Sequence, residues 1–340
     1  MRAVRYHEYG EPEVLQPEEV SEPLPGSDEV LVRVQACGLN YLDVWCRTGL
    51  VKVPLPHIGG SEVAGEVAKL GNAVSGIEIG QQVAVYPWLF DNTCEYCMAG
   101  NQTTCLRGDV LGQMSEGGYA EFLKAPARNM IPLPEGMDHQ SAAAVTLAAL
   151  TAWHMLIGAA KIRSGEDVLV HAAGSGVGSA AIQIAKMVGC RVFTTASTGE
   201  KLEQATELGA DTGINYTDSD FAQEIKRLTG KRGVDVVVEH VGADTFAKSV
   251  ASLTRNGRLV TCGATTGSDA RFNLRQLFVK QLELIGTYGG SRGELRQVLA
   301  ATAQGRIRPV IDRIYPLEEA AEAHRRMEAR GQFGKLILEV

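Results

Sequence analysis

The chain has 340 residues, too many for one ordinary core, and two domains are expected. Hydrophobic residues make up 45% and charged residues 21%, which suits sizeable cores, and 38 glycines point to many tight turns. Asp and Glu outnumber Lys and Arg by 40 to 33, and the net charge of -7 repels phosphate backbones, so nucleic acid is not an expected partner.

The stretch MRAVRYHEYGEPEV carries charges where an export signal needs an apolar run, so a cytoplasmic location is expected. Short alternating runs such as EVLVRVQA and QQVAVYP, broken by Gly and Pro, predict a β-rich domain over 1–125. Inside it, QACGLNYLDVWCRTG (35–49) crowds Asn40, Tyr41 and Asp43 between two cysteines in what reads as an alternating, strand-like stretch. Strand alternation would turn Asn40 and Tyr41 to opposite faces, and Asp43 and Arg47 have the spacing of an ion pair. Further on, DNTCEYCMAGNQTTC places Asp91, Cys94, Cys97 and Cys105 with two residues between each of the first three and seven before the last.

Near residue 126 the rhythm changes. SAAAVTLAALTAWHMLIGAA (141–160) lacks Asp, Glu, Lys and Arg, but its Ala, Thr and Ser content and His154 make it a buried helix rather than a membrane span. Six β-branched runs then alternate with helix-length segments: DVLVHAA, RVFTTAS, TGINY, VDVVVEHV, GRLVTCG and LELIGTY. They predict parallel βαβ units in a doubly wound sheet over 126–290. The tail, 291–340, adds a charged helix, LEEAAEAHRRMEAR, and a closing strand, GKLILEV.

The first βα turn carries Gly174, Ser175, Gly176, Val177 and Gly178 between a strand and a helix, where backbone N–H groups and a positive helix end can hold a pyrophosphate. Its spacing departs from G-x-G-x-x-G: Ala173 and Ser175 stand at the first two glycine positions and Gly178 at the third. Ser197 follows the next strand, where an NAD-preferring protein places an acid. A carboxylate there would oppose a 2′-phosphate by ~4 kcal/mol at ~4 Å, roughly a thousandfold in affinity. Its absence, with Lys201 as a counter-charge, favours NADPH over NADH.

Taken together, the β-rich first part, the cysteine cluster, the Gly174 turn, ELGAD, INY and GKLILEV resemble the medium-chain dehydrogenase/reductase superfamily over essentially the whole chain. GLNYLDVWCRTG, GGSEVAGEV and LTAWHML are most similar to its quinone oxidoreductase-like branch, which includes bacterial zinc-type alcohol dehydrogenase-like proteins. The resemblance implies an α/β protein with a GroES-like catalytic domain and a Rossmann domain, assembled as a homodimer. It also implies a structural zinc held by Asp91, Cys94, Cys97 and Cys105, with Asp91 in place of the family's first cysteine; a reduced, metal-free loop is the alternative. At the three positions where zinc alcohol dehydrogenases hold a catalytic ion stand Asn40, Ser61 and Leu147, so the catalytic zinc is expected to be lost.

Without that ion the resemblance implies hydride transfer from NADPH to a quinone or α,β-unsaturated carbonyl, which delocalises the incoming charge, in the cleft between the domains. Asn40 and Tyr41 are the expected polar contacts, organised by Asp43 and Ser61, with Tyr41 a proton source. Val241, Gly242, Gly263 and Ala264 are implied on the nicotinamide side, Tyr216 at the adenosine end, and Lys335 either at the cofactor or in solvent. His240 is expected to pair with a neighbouring carbonyl, and Cys190 and Cys262 to be small buried hydrophobes. Two other readings stay open: an alcohol or aldehyde dehydrogenase whose metal is rebuilt from Cys37, Cys46, His57 and Glu62, and a non-enzymatic NADPH-binding protein.

Overall fold

The computed structural model describes all residues, 1–340, and they fall into two compact units. Chain order in the first unit is β1 (Arg2–Arg5), β2 (Gln16–Glu19), β3 (Glu29–Gly38), α1 (Tyr41–Thr48), β4 (Glu62–Leu70), β5 (Gln82–Val85) and β6 (Trp88–Leu89). Then come α2 (Glu95–Met98), β7 (Asp109–Val110), β8 (Phe122–Pro126), β9 (Met130–Pro132) and α3 (His139–Ala143). Strand β9 pairs with β5, so Met130–Pro132 belongs to the first unit, which extends to Ala148. The expected boundary at 125/126 therefore falls too early. The short β9 run, flanked by prolines, gave no alternation long enough to be read as a strand.

Helix α4 (Ala148–Trp153) is followed by a π-helical turn at His154–Ala159. The apolar segment 141–160 is thus broken into pieces, and no helix of the protein is long and apolar enough to cross a membrane.

The second unit holds β10 (Asp167–Val170), α5 (Gly176–Val188), β11 (Arg191–Ala196), α6 (Gly199–Glu207), β12 (Thr212–Asn215), α7 (Phe221–Leu228) and β13 (Val234–Glu239). It continues through α8 (Phe246–Ser252), β14 (Leu253–Thr261), α9 (Leu274–Lys280) and β15 (Glu283–Gly286). All neighbours in its sheet are parallel, in the order β12-β11-β10-β13-β14-β15. All six predicted runs are strands of this doubly wound sheet. They are continuous Val/Ile/Leu runs because helices cover both faces: every residue of β10 is buried, as are Val236, Val237 and Val238 of β13.

The chain then returns to the first unit with α10 (Arg292–Ala303), β16 (Ile311–Pro316), α11 (Ala320–Glu328) and β17 (Lys335–Glu339). Strand β17 enters the first unit's sheet, in the order β16-β17-β3-β4-β5-β9. Strand β3 runs antiparallel to both β17 and β4, with Gly38 opposite Ile337 on one side and Glu62 on the other. The end of β3 therefore meets the starts of β4 and β17, and that corner gathers the polar residues described next.

Candidate functional site

Asn40 is the residue just before α1, not part of a strand, and Tyr41 is the first residue of that helix. This corrects the strand-like reading of 35–49: β3 stops at Gly38 and the chain turns into a helix closed by Gly49 in the left-handed region. The carboxylate of Asp43 accepts from the N–H of Asn40 at 2.7 Å and from the N–H of Gly60 at 3.2 Å, tying the start of α1 to the loop before β4. Asp43 does not pair with Arg47, whose guanidinium donates to the Gly10 carbonyl and pairs with Glu328. Burial pushes the Asp43 carboxyl up from 3.8 to about 6, against the opposing pull of its N–H partners and of Lys335. Tyr41 is half-buried and lies edge-on to Trp45, with ring centroids 5.9 Å apart.

Glu62, fully buried, accepts from the N–H groups of Leu147 and Ala148, both at 2.7 Å, through one oxygen. Its other oxygen lies 2.6 Å from the Lys335 ammonium. Lys335 is 5% exposed and also donates to the Leu39 carbonyl and, at 2.8 Å, to Asn40 Oδ1. An ammonium has three hydrogens, and here three oxygens surround it. Lys335 is therefore not a solvent-facing side chain, which corrects that expectation. The closing lysine of GKLILEV reads as exposed from sequence because its partners are nearly 300 residues away in the chain.

This network brings Asn40, Ser61, Glu62 and Leu147 to one corner of the sheet. An amide, a hydroxyl and an aliphatic side chain make a poor zinc donor set, and a catalytic ion does not fit these residues. His57 does not join them: its Nε2 bonds the Gly112 carbonyl at 2.9 Å. The one cluster of His, Cys, Asp or Glu side chains arranged to hold a metal lies elsewhere, so Cys37, Cys46, His57 and Glu62 do not assemble a site. At the corner, three buried polar atoms have no hydrogen-bond partner: Glu62 Oε2, which is in the ion pair with Lys335, and Asn40 Nδ2 and Ser61 Oγ, which have no partner at all.

The metal-type cluster is Asp91, Cys94, Cys97 and Cys105, with ligand atoms within 4.8 Å of one another. Helix α2 sets Cys94 and Cys97 on adjacent turns, and the N–H of Asp91 points at Cys105 Sγ at 3.3 Å. Asp91 accepts from the N–H groups of Thr93 and Cys94, which hold its carboxyl well below the ordinary carboxylate range, and Arg107 donates to its second oxygen at 3.0 Å. Oδ1 takes both of those N–H bonds, and Oδ2 keeps a lone pair for an ion. Three thiolates, a carboxylate and one guanidinium sum to -3 and suit a divalent, thiophilic cation.

In the second unit, Ser175 caps α5: its hydroxyl accepts from the N–H of Gly178 at 2.8 Å. The N–H groups of Gly176 and Val177 have no partner inside the helix and stand at the positive end of its 13 residues. Gly178 is needed for packing, since a Cβ there would lie 2.2 Å from the Ala172 carbonyl oxygen. Gly174 lies in the turn before the cap. Ser197 follows the end of β11, and Thr198 caps α6 by accepting from the N–H of Lys201. Tyr216 is 46% exposed beside them, its N–H bonded to the Ala196 carbonyl. At the ends of β13 and β14, Val241, Gly242, Gly263 and Ala264 come together, with Gly242 at φ +100° against Gly267 and Ala264.

Two residues behind that loop were missed from sequence. Buried Glu239 accepts from the N–H groups of Val241 and Gly242 at 2.8 and 3.1 Å and from the hydroxyls of Thr245 and Ser249. Since Ser249 gives its hydrogen to Glu239, it can only accept from His171 Nε2, and the His171 Nδ1 faces Thr195 Oγ1 at 3.0 Å. Burial lowers His171 to about 4, so the ring is neutral. The only signal was an acid and a histidine ending otherwise apolar strands. His240 donates from Nε2 to the His171 carbonyl at 3.0 Å, as expected, and Cys190 and Cys262 are free thiols whose burial raises them to about 11 and about 12.

The fold and sequence match known proteins along the whole chain. Residues 26–135 match the family model described as alcohol dehydrogenase GroES-like domain, and residues 176–304 the one described as zinc-binding dehydrogenase. A curated relative, quinone oxidoreductase of Homo sapiens, is 32% identical over 99% of this chain and 97% of its own length. A crystal structure of an NAD-dependent alcohol dehydrogenase superposes with a TM-score of 0.96 at 42% identity, covering 100% of both chains. A crotonyl-CoA carboxylase/reductase, AntE, solved in complex with NADP, superposes with a TM-score of 0.94 at 28% identity over 100% of this chain and 94% of its own. A GroES-like domain, a Rossmann sheet in the order given above, and relatives of this extent place the chain in the medium-chain dehydrogenase/reductase superfamily, to which it belongs.

Proposed function

We propose that this oxidoreductase reduces a quinone or α,β-unsaturated carbonyl with NADPH and without a catalytic zinc. The observation that carries the reading is the pair of buried, unpartnered groups, Asn40 Nδ2 and Ser61 Oγ, at positions where zinc-dependent relatives would hold an ion. Buried polar groups are normally paired, and leaving one unmade costs ~1–3 kcal/mol, so such atoms mark a place for a ligand. Both can donate to an oxygen that gains charge. A simple alcohol or aldehyde needs stronger polarisation, whereas a conjugated acceptor spreads the charge over its own π system.

The nicotinamide cofactor, when bound, supplies the hydride. The Gly174–Ser175–Gly176–Val177–Gly178 turn would hold its pyrophosphate, Ser197 and Lys201 its 2′-phosphate, Tyr216 its adenosine end, and Val241, Gly242, Gly263 and Ala264 its nicotinamide end. The solved relative at 42% identity is named for NAD, and the preference for NADPH rests on the serine at 197 instead of an acid. Asn40 and Ser61 would bind the acceptor oxygen, Asp43 would hold Asn40 in place through its N–H, and Tyr41 would return a proton through water. Asp91, Cys94, Cys97 and Cys105 would hold one structural zinc.

NADPH and NADH oxidation with a quinone, an enone and an aldehyde side by side, with and without a zinc chelator, tests this directly. Turnover of quinone or enone that survives chelation is expected. The alternative, a zinc-dependent alcohol dehydrogenase, draws on the alcohol dehydrogenase relative. Two zinc ions per chain and alcohol oxidation abolished by the chelator would establish it. Cofactor binding without turnover of any acceptor would instead support a non-enzymatic NADPH-binding protein.

A further inference from the structure

We propose that Lys335 is a positioning residue that makes Asn40 an obligate hydrogen-bond donor toward the substrate oxygen. The inference rests on the functional reading above only in taking Asn40 as the group that meets that oxygen.

A carboxamide has a donor end and an acceptor end of nearly equal size, and a free Asn can present either. Here the choice is made by charge. The Lys335 ammonium can only donate, and it bonds Asn40 Oδ1 at 2.8 Å, so the amide oxygen is held inward. The amide nitrogen then faces away from Lys335, buried and without a partner. Lys335 is itself immobilised by the Leu39 carbonyl and by Glu62, and Glu62 is fixed by the N–H groups of Leu147 and Ala148. The chain from Leu147 and Ala148 through Glu62 and Lys335 to Asn40 thus sets one amide orientation. Gly38 belongs to the same device, because a Cβ there would lie 2.4 Å from the Glu62 carboxylate. Lys335 acts through Asn40, its ammonium held among the Leu39 carbonyl, Asn40 Oδ1 and the Glu62 carboxylate. What it selects is chemistry: the atom beside Asn40 must be an acceptor, such as a ketone or quinone oxygen, and a hydroxyl donating toward Asn40 finds no lone pair.

The test uses the full-length protein and three variants: N40D, which leaves Lys335 in place but removes the donor; K335M/E62Q, which removes both buried charges together while Gln keeps an acceptor for Leu147 and Ala148; and the triple variant. Steady-state rates with NADPH and 2-cyclohexenone are read beside NADPH affinity and thermal melting. N40D is expected to lose ~10²–10³ in kcat. K335M/E62Q is expected to lose about a hundredfold in kcat with NADPH affinity unchanged. The triple variant should be no slower than N40D, since the two changes act on one group. Full kcat in K335M/E62Q, or losses that multiply in the triple variant, would overturn the proposal. A second readout is independent of turnover: the side-chain NH2 signal of Asn40 in ¹⁵N-asparagine-labelled protein with NADP⁺, assigned by its absence in N40D. It should shift when 2-cyclohexenone is added to the wild type and not to K335M/E62Q, and an equal shift in both, or in neither, refutes the positioning role. If the wild type reduces neither quinone nor enone, the functional reading fails, and the Asn40 NH2 signal without acceptor decides the positioning role instead: it should move between wild type and K335M/E62Q because Lys335 bonds the amide oxygen, and an unmoved signal refutes it.

Discussion

Single residues at the corner where β3, β4 and β17 meet carry opposite electrostatic burdens. Glu62 and Lys335 are buried together, 2.6 Å apart, and each makes the other tolerable. Removing one partner strands a charge in a low-dielectric interior, which costs about 3–5 kcal/mol, whereas removing both is often close to neutral. Lys335→Met alone should therefore destabilise the protein by ~3–5 kcal/mol, and Glu62→Gln in the same chain should restore most of it; chemical unfolding of the two variants decides this. Asp43 behaves differently, because its burial is only partly compensated. Its carboxyl rises from 3.8 to about 6 in the fold, so the folded state holds a proton that the unfolded chain has already released. Stability from this group is then present below pH 4 and is lost as pH rises through 6, by roughly 3 kcal/mol at 1.36 kcal/mol per pH unit of displacement. Urea unfolding at pH 4.5 and pH 7.5 should show the wild type losing ground to Asp43→Asn across that interval; a constant difference between the two would refute the assignment.

Elements explain what the sequence made legible and what it hid. The six strands of the parallel sheet could be read because each is a short β-branched run between helix-length segments, and burial on both faces leaves no polar alternation to confuse. The turn into α5 was equally plain, since glycines between a strand and a helix have few other uses. Helix α1 was not, because eight residues with Tyr, Val, Trp and Thr among them have weak helix propensity, and its start is fixed by Asp43 reaching back to the Asn40 N–H. The partnership of Asn40, Glu62 and Lys335 was illegible for another reason: strand order, which no local pattern contains, brings them together. Helix α5 yields its own prediction. A side chain at Gly178 would drive into the Ala172 carbonyl and push the helix start off the turn, so Gly178→Val should abolish NADPH binding while the first unit keeps its fold. Short helix α2 and its loop yield another: with three thiolates, an aspartate and Arg107 in one place, the protein should contain one zinc per chain by elemental analysis, and Cys97→Ser should lose it.

At the scale of the whole molecule the unresolved business of the fold is an edge. Strand β15 ends the parallel sheet and pairs with β14 alone, so its outer backbone groups lack a partner strand in the chain. Just before it, α9 leaves Leu274 66% and Phe278 68% exposed, with Val279 at 46%. A monomer gains nothing from presenting two large apolar side chains beside a bare strand edge, and such an edge normally invites pairing unless charges or a bulge protect it. Two copies meeting edge to edge about a twofold axis would hydrogen-bond their β15 strands and cover both α9 faces with one self-complementary contact. The family resemblance implies a homodimer, and such a pairing would engage these residues. Leu274→Asp with Phe278→Asp should shift the protein from dimer to monomer in light scattering at micromolar concentration, with circular dichroism and NADPH affinity preserved because neither residue has a buried role in the fold. A wild type that is already monomeric under those conditions, or a doubly substituted variant that stays dimeric, would show that the second copy binds elsewhere or not at all.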